Sequence, residues 1–140
     1  MKIDYTEIMT GEEYNELRES VEWKLLSPSQ AKRGLEHTSF LVAARENNRI
    51  VGMGRVLFDF GYTAYLGDVI VRPEYQGKGI GTQIVTLLME KTMNAAEGGE
   101  QIMFILGAAK GKEAFYKRFG FKERPNDFSG SGMTMWKAKE

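Results

Sequence analysis

The sequence predicts a mixed α/β fold in which a sheet of about six or seven strands carries helices on both faces. Apolar runs of strand length alternate with stretches whose apolar residues recur at helical spacing. Glycine, proline and asparagine lie between these segments, as expected for turns. A chain of 140 residues can bury one hydrophobic core, so we expect a single domain over residues 1–140.

Composition limits the partners. Nineteen basic and nineteen acidic side chains cancel, so no net charge draws the chain to nucleic acid or to a membrane, and a small-molecule partner is favoured. The chain has no cysteine, which excludes disulfides and thiolate zinc sites, and one histidine, so no metal site is expected. The first residues contain no apolar core of signal-peptide length, so we expect a cytoplasmic protein. A homodimer is left open.

The first elements have clear start signals. Residues 2 to 8 alternate as a strand does. Thr10 precedes Glu13 by three positions, which is typical of a capping box at a helix start. Ser27 before Pro28 predicts the start of a second helix.

Two strands and a hairpin should follow. The apolar content of residues 38 to 45 and 50 to 58 predicts strands, joined by a tight turn at Asn47-Asn48, since asparagine tolerates positive φ. Gly52 and Gly54 weaken a strand interior, unless a bulge is needed there or another element approaches closely.

The central segment runs from strand to helix. Residues 66 to 71 form an apolar run, and Pro73 should end that strand near Val71. A glycine-rich loop over residues 76 to 81 then leads into a helix. The apolar residues that place one face of this helix against the core are Ile80, Ile84, Leu87 and Leu88.

The remaining elements are shorter. Residues 102 to 106 form a continuous apolar run that predicts a strand. A helix over residues 113 to 119 should end at Gly120. We expect a short strand from Phe121 and a last strand over residues 133 to 136.

The glycine loop is suited to phosphate. Glycines let several backbone N–H groups converge at the positive end of the helix dipole. A P-loop is excluded because Lys78 is followed by Gly79, and a dinucleotide fingerprint is weak because Thr82 replaces its third glycine. The alternative is a glycine-rich turn that merely opens a helix.

Two motifs carry a family resemblance. Gln76, Gly79 and Gly81 match the pattern Gln/Arg-x-x-Gly-x-Gly/Ala directly after a strand. Some forty residues later, Phe115 to Phe121 match Phe-Tyr-x-x-x-Gly-Phe. Over about residues 38 to 123 the chain resembles the GCN5-related N-acetyltransferase (GNAT) family. The resemblance implies an acetyl-CoA-dependent N-acetyltransferase, with a central strand splayed from its neighbour to form a V-shaped cofactor cleft.

The resemblance also implies a cofactor site. The pantetheine arm of acetyl-CoA would pair with the edge of the central strand at Val69, Ile70 and Val71. The pyrophosphate would lie against the loop and the helix start, formed by Gln76, Gly77, Lys78, Gly79, Ile80, Gly81 and Thr82. The asparagine that many members place before the second motif has no match in residues 107 to 112, so the resemblance assigns no residue to that cofactor contact.

The catalytic candidates follow from the same resemblance. Tyr116 matches the tyrosine that protonates the departing thiolate, for which a phenol is suited because its pKa of about 10 is near that of an alkyl thiol. The alternative is that Tyr116 only packs against the cofactor. Asp68 is either the base that draws the amine proton through water or a hydrogen-bonded strand carboxylate. Without cysteine, the acetyl group should pass directly to the acceptor.

The acceptor is expected to be a primary amine of a small molecule. Candidate substrate residues are Trp23, His37 and Arg55. Trp23 could equally fill the core, whereas a lone histidine at a helix end, such as His37, is more often a capping or exposed residue. The alternatives are a protein acetyltransferase that acts on lysine or an amino terminus, and a non-catalytic acyl-CoA-binding module.

Overall fold

The structure is a computed structural model that describes all 140 residues. The chain forms two compact units, Met1–Ile105 and Leu106–Glu140. The single domain predicted from chain length stays a prediction. No helix combines the length and the apolar composition that a membrane span requires.

The first unit is built on a five-stranded sheet with the order β1-β2-β3-β4-β5. Strands β1 to β4 pair antiparallel, and β5 runs parallel to β4. The strands are β1 (Asp4–Thr6), β2 (Phe40–Glu46), β3 (Arg49–Phe58), β4 (Thr63–Val71) and β5 (Met103–Ile105). The helices of this unit are α1 (Gly11–Ser20), α2 (Pro28–Glu36) and α3 (Ile80–Ala95), with a 3-10 turn at Pro73–Tyr75. The second unit contains α4 (Glu113–Lys117).

The local start and turn signals are confirmed. Thr10 and Glu13 form the capping box of α1, each side chain accepting a hydrogen bond from the other residue's backbone N–H. Ser27 caps α2 by accepting from the Gln30 N–H at 3.1 Å. Asn47 and Asn48 have φ of +47° and +68°, and the hairpin between β2 and β3 turns there. These signals are reliable because the side chain and the backbone group it satisfies lie within a few residues.

Glu13 also links α1 to the sheet. Its carboxylate accepts hydrogen bonds from Arg45 of β2, one from Nη1 and one from Nη2, the latter at 3.0 Å. The hydrogen bond from the Arg45 guanidinium lowers the pKa of Glu13, and the hydrogen bond that the Glu13 carboxylate accepts from the Thr10 N–H lowers it further. Arg45 Nη2 donates as well to the Ile8 carbonyl at 2.8 Å. One arginine therefore fixes the helix start and the segment before it to β2.

Helices cover both faces of the sheet, as predicted. Met53 packs in a buried cluster with Tyr14 and Leu17 of α1. A Cβ built on Gly54 would lie 2.7 Å from Ile84 Cγ2 of α3, and one on Gly52 would lie 3.2 Å from its Cδ1. Successive strand residues point to opposite faces, so α1 and α3 lie on opposite sides of β3. The two glycines bring α3 close to the strand.

The prediction of two further strands was wrong. Residues 121 to 140 form no strand, and the sheet has five strands rather than six or seven. Met133 and Trp136 are each 92% exposed. Alternation of apolar residues indicates which face of a strand would be buried. A strand also needs a neighbouring strand to satisfy its backbone N–H and C=O groups, and alternation does not show whether one is present. The predicted strand over residues 102 to 106 is confirmed as the shorter β5, and the predicted helix after it ends at Lys117.

Candidate active site

The glycine loop joins β4 to α3. Gln76 Nε2 donates a hydrogen bond to the Val71 carbonyl at 2.9 Å and so ties the loop back to the end of the strand. Gly77 and Gly79 have φ of +76° and +84°, a region that glycine enters without the strain that a Cβ would impose. These conformations let the loop turn tightly into the first turn of α3.

The start of α3 presents unsatisfied donors. Gly79 is the N-cap and provides no side-chain hydrogen bond, so no side chain caps the N–H groups of Ile80, Gly81 and Thr82. A Cβ built on Gly77 or Gly79 would meet no atom within 4 Å, so the space beside the loop is open. Together with the helix dipole, this arrangement fits a phosphate group.

Core packing holds this loop in place. Ile80 is 2% exposed, and its Cγ2 would lie 3.5 Å from a Cβ on Gly52. The first residue of α3 is therefore anchored against β3, while Lys78 in the preceding loop is exposed. The exposed lysine can add positive charge to a bound phosphate.

Strand β4 has an edge that β5 leaves uncovered. The β4–β5 ladder runs from Thr63 paired with Met103 to Tyr65 paired with Ile105, where β5 ends. Of the β4 residues beyond it, Ile70 and Val71 pair with β3 on one side, and none of Val69, Ile70 and Val71 pairs with β5 on the other. Backbone donors and acceptors along such an edge can pair with an extended ligand.

A bulge interrupts β4 next to this edge. Arg55 pairs with Gly67 and Met53 pairs with Ile70, so Gly54 alone faces the two residues Asp68 and Val69. Asp68 has φ of +51°, which aspartate tolerates better than most residues. A bulge turns a side chain away from the direction the strand would give it.

The Asp68 carboxylate meets three partners. Its Oδ2 accepts a hydrogen bond from Arg55 Nε at 2.7 Å and another from the Tyr14 hydroxyl. Its Oδ1 lies 3.6 Å from Arg18 Nη1. We call these four residues, Tyr14, Arg18, Arg55 and Asp68, the Asp68 cluster. Two guanidinium groups and one carboxylate leave it with one positive charge.

Tyr14 stays neutral in this cluster. Its ring is 2% exposed, and burial together with the adjacent Asp68 carboxylate raises its pKa to about 12. The hydroxyl is therefore a hydrogen-bond donor throughout the physiological range, and it cannot cancel the positive charge of the two arginines.

The structure brings three predicted residues into one region. Arg55 and Asp68 bond directly, and the half-buried Trp23 ring lies 5.6 Å from the Arg18 guanidinium. His37 is exposed at the end of α2, with Nδ1 2.9 Å from the Arg33 carbonyl, and it is the neighbouring Thr38 that bonds Arg55.

Sequence reasoning missed Tyr14 and Arg18. They are four residues apart on α1 and so lie on one face of the helix, the face that also carries Leu17. Arg18 is only 9% exposed. An arginine on the apolar face of a helix was the available signal, because a charge rarely faces a core without a partner or a ligand.

Tyr116 belongs to the second unit. It lies on α4, half-buried, with its ring centroid 4.9 Å from that of Phe115 and 6.1 Å from that of Phe121. Phe115 also contacts Phe119 at 5.4 Å. The aromatic residues of the second motif therefore pack with one another and hold the tyrosine ring in position.

Comparisons with known proteins agree on one family. Residues 4 to 121 match the model of the Acetyltransferase (GNAT) family. The chain is 29% identical over 122 residues to an uncharacterised N-acetyltransferase, ycf52, from Porphyra purpurea, a match that covers 84% of this chain and 68% of that protein. It is 32% identical over 85 residues to histone acetyltransferase TAP1 from Glycine max, covering 61% of this chain and 35% of that protein.

Solved structures share the fold. A structure from meticillin-resistant Staphylococcus aureus, described as a probable acetyltransferase, is 28% identical, with a TM-score of 0.85 over 96% of this chain and all of that one. Glucosamine-6-phosphate N-acetyltransferase from Arabidopsis thaliana is 16% identical, with a TM-score of 0.72 over the full length of both chains. The second likeness shows the fold alone.

Proposed function

This chain belongs to the acetyltransferase (GNAT) family, whose members are acyltransferases, and we propose that it moves an acetyl group from acetyl-CoA directly to a primary amine of a small molecule. One observation carries the proposal: the uncapped start of α3, opened by two glycines of positive φ, follows directly on a strand edge that β5 does not cover.

The proposed cofactor site uses backbone groups. The N–H groups of residues 77 to 82 would hold the pyrophosphate, and the backbone of residues 69 to 71 would pair with the pantetheine arm. The ladder between β4 and β5 ends at Tyr65, which supports a V-shaped cleft beyond that residue. Acetyl-CoA supplies an acetyl group activated as a thioester.

In the proposed chemistry, a backbone N–H near Val71 would polarise the carbonyl to be attacked. The Tyr116 hydroxyl would give its proton to the departing thiolate, and the proton that the attacking amine loses would pass to water. For Asp68, the partners on Oδ2 favour an orienting role over that of a base. Its Oδ1 accepts no hydrogen bond and lies 3.6 Å from Arg18, so it can still accept one from the acceptor amine.

A protein acceptor is the second candidate. The similarity to a soybean histone acetyltransferase supports it, although that match covers only about a third of the relative. A module that binds acyl-CoA without transfer is the alternative outside enzymes. These candidates differ in whether thiol is released and in which acceptor releases it.

The test is a screen of acceptors with acetyl-CoA that follows free CoA thiol. Small primary amines, a lysine-containing peptide and a peptide with a free amino terminus form the three arms. We expect thiol release with one or more small amines above the rate without acceptor. Release with peptides alone would show a protein acetyltransferase, and binding of acetyl-CoA without any release would show a binding module.

A further inference from the structure

We propose that the acceptor amine carries a carboxylate, which the guanidinium groups of Arg18 and Arg55 bind beside Asp68. The inference rests on the proposed function, because it names the substrate class of that same site. It is carried by the charge, the unused donors and the rigidity of the Asp68 cluster.

The charge of the cluster is uncompensated within the protein. Neither arginine pairs with an acid other than Asp68. The side chains of Arg18, Arg55 and Asp68 are 11%, 20% and 17% exposed. A positive charge that is largely removed from water is unfavourable unless a counter-charge joins it. An anionic ligand supplies that counter-charge.

Donors remain for such a ligand. The Arg18 guanidinium makes one hydrogen bond, from Nε to the Lys24 carbonyl at 2.7 Å, and its Nη1 is too far from Asp68 for another. No fully buried side-chain nitrogen or oxygen lacks a partner in this protein, so the terminal nitrogens of Arg18 keep contact with solvent. They can therefore be reached by a bound molecule.

The guanidinium groups are held before any ligand arrives. Arg18 lies between two rings, 5.8 Å from the centroid of Tyr14 and 5.6 Å from that of Trp23. Arg55 Nη1 donates to Thr38 Oγ1 at 3.1 Å, in addition to its bond from Nε to Asp68. A planar guanidinium that is already oriented loses little freedom when it binds a planar oxyanion.

The size of the excess charge selects a carboxylate over a phosphate. One negative charge neutralises the cluster, and the two oxygens of a carboxylate match the fork of a guanidinium. A phosphate dianion would bring a second negative charge close to Asp68. The Asp68 Oδ1 atom can then accept from the amine of the same molecule.

The test compares acceptors that differ only in the carboxylate. The panel consists of α-amino acids, their amides and the corresponding decarboxylated amines, with O-phosphoethanolamine as the phosphate-bearing amine. We expect kcat/KM to be highest for amino acids. The Arg18→Gln variant should lower it for amino acids by roughly tenfold to a hundredfold, with little change for the decarboxylated amines.

Two further variants separate recognition from folding. Arg18→Lys keeps the charge and loses the fork, so it should restore only part of the preference. Arg45→Gln removes another poorly exposed arginine that binds a carboxylate and a backbone carbonyl, outside the Asp68 cluster. It should lower the midpoint of thermal unfolding without changing the ratio of kcat/KM between amino acids and decarboxylated amines.

The outcomes are distinct. Equal use of all three amine series, or preference for O-phosphoethanolamine, would overturn the carboxylate subsite while the proposed function stands. If no acceptor releases thiol, the proposed function fails, and calorimetry of amino-acid binding in the presence of CoA decides the subsite separately. Binding of amino acids to the wild type that is lost in the Arg18→Gln variant would then support the carboxylate subsite. Absence of any heat of binding with the wild type would overturn it.

Discussion

The Tyr14 hydroxyl on α1 donates a hydrogen bond to the Asp68 carboxylate in the β4 bulge. A helix and the strand on which the candidate site is built are thereby joined through a buried phenol. Since the donor must be protonated to make this bond, the ionisation of Tyr14 is coupled to the stability of the fold.

Tyr14 should make the protein sensitive to alkali. Its pKa is raised to about 12 in the folded chain, against about 10 for a free phenol. The stabilisation is fully present below pH 10 and is lost as pH rises through the window from about 10 to 12, because the unfolded state releases the proton first. Chemical denaturation across this window should show the free energy of unfolding falling by up to about 2 to 3 kcal/mol.

Tyr14→Phe isolates this contribution. The variant should be less stable at neutral pH, and the difference from wild type should shrink as pH rises towards 12 because phenylalanine does not titrate. A difference that stays constant over this window would contradict a raised pKa for Tyr14.

Gly79→Ala should weaken acetyl-CoA binding. The residue has φ of +84° and lies at the start of α3, where an added methyl group meets no protein atom but occupies space that a phosphate would need. We expect a loss of affinity of roughly tenfold or more, measured by calorimetry. Gly99→Ala is the matched control, since Gly99 has φ of +87° and equally open surroundings. Gly99→Ala should lower the stability of the protein by a comparable amount and leave its affinity for acetyl-CoA unchanged. If both variants bind acetyl-CoA with equal affinity, the glycine loop is not part of the cofactor site.

Gly54→Ala should destabilise the protein. The new Cβ would lie 2.7 Å from Ile84 Cγ2 and 2.8 Å from Leu88 Cδ1, so α3 must shift or the side chains must leave their preferred rotamers. Overpacking of this kind costs about 1 to 3 kcal/mol in unfolding free energy. Gly34→Ala, in α2 with no atom within 4 Å, should instead gain up to about 1 kcal/mol. An unchanged thermal midpoint for Gly54→Ala would contradict the close packing of α3 on β3.

Tyr116→Phe tests the proposed proton donor. Loss of a general acid lowers turnover by roughly a hundredfold to ten thousandfold, whereas the ring and its contacts with Phe115 and Phe121 remain. Acetyl-CoA affinity should therefore stay close to that of the wild type. Tyr62→Phe changes an exposed tyrosine and serves as the control. Near-normal turnover of Tyr116→Phe with a verified acceptor would leave Tyr116 a packing residue.

The sequence was most informative where the physical cause is local. The capping box at Thr10 and the positive φ values at Asn47 and Asn48 depend on neighbouring residues, so pattern alone predicted them. Gly54 indicated the close approach of α3 to β3, because a glycine inside a strand marks either a bulge or another element packed closely against it.

The Asp68 cluster depends on contacts between distant residues, which the sequence pattern does not reveal. Tyr14 and Asp68 are 54 positions apart, and their bond exists only because the bulge turns the aspartate towards α1. The strands predicted from Phe121 and over residues 133 to 136 were wrong for a related reason. A strand is completed by a partner elsewhere in the chain, which its own alternation does not identify.

The bond network at Glu13 has a consequence for synthesis of the chain. The first turn of α1 is capped by residues that leave the ribosome together, but the arginine that completes the network follows Glu13 by 32 positions. Until Arg45 has emerged, the Glu13 carboxylate has only its local partners at Thr10. In a nascent chain that stops before β2, α1 can therefore form its first turn but lacks the contact that Arg45 adds. The stability of this amino-terminal helix is completed by a strand that is synthesised after it.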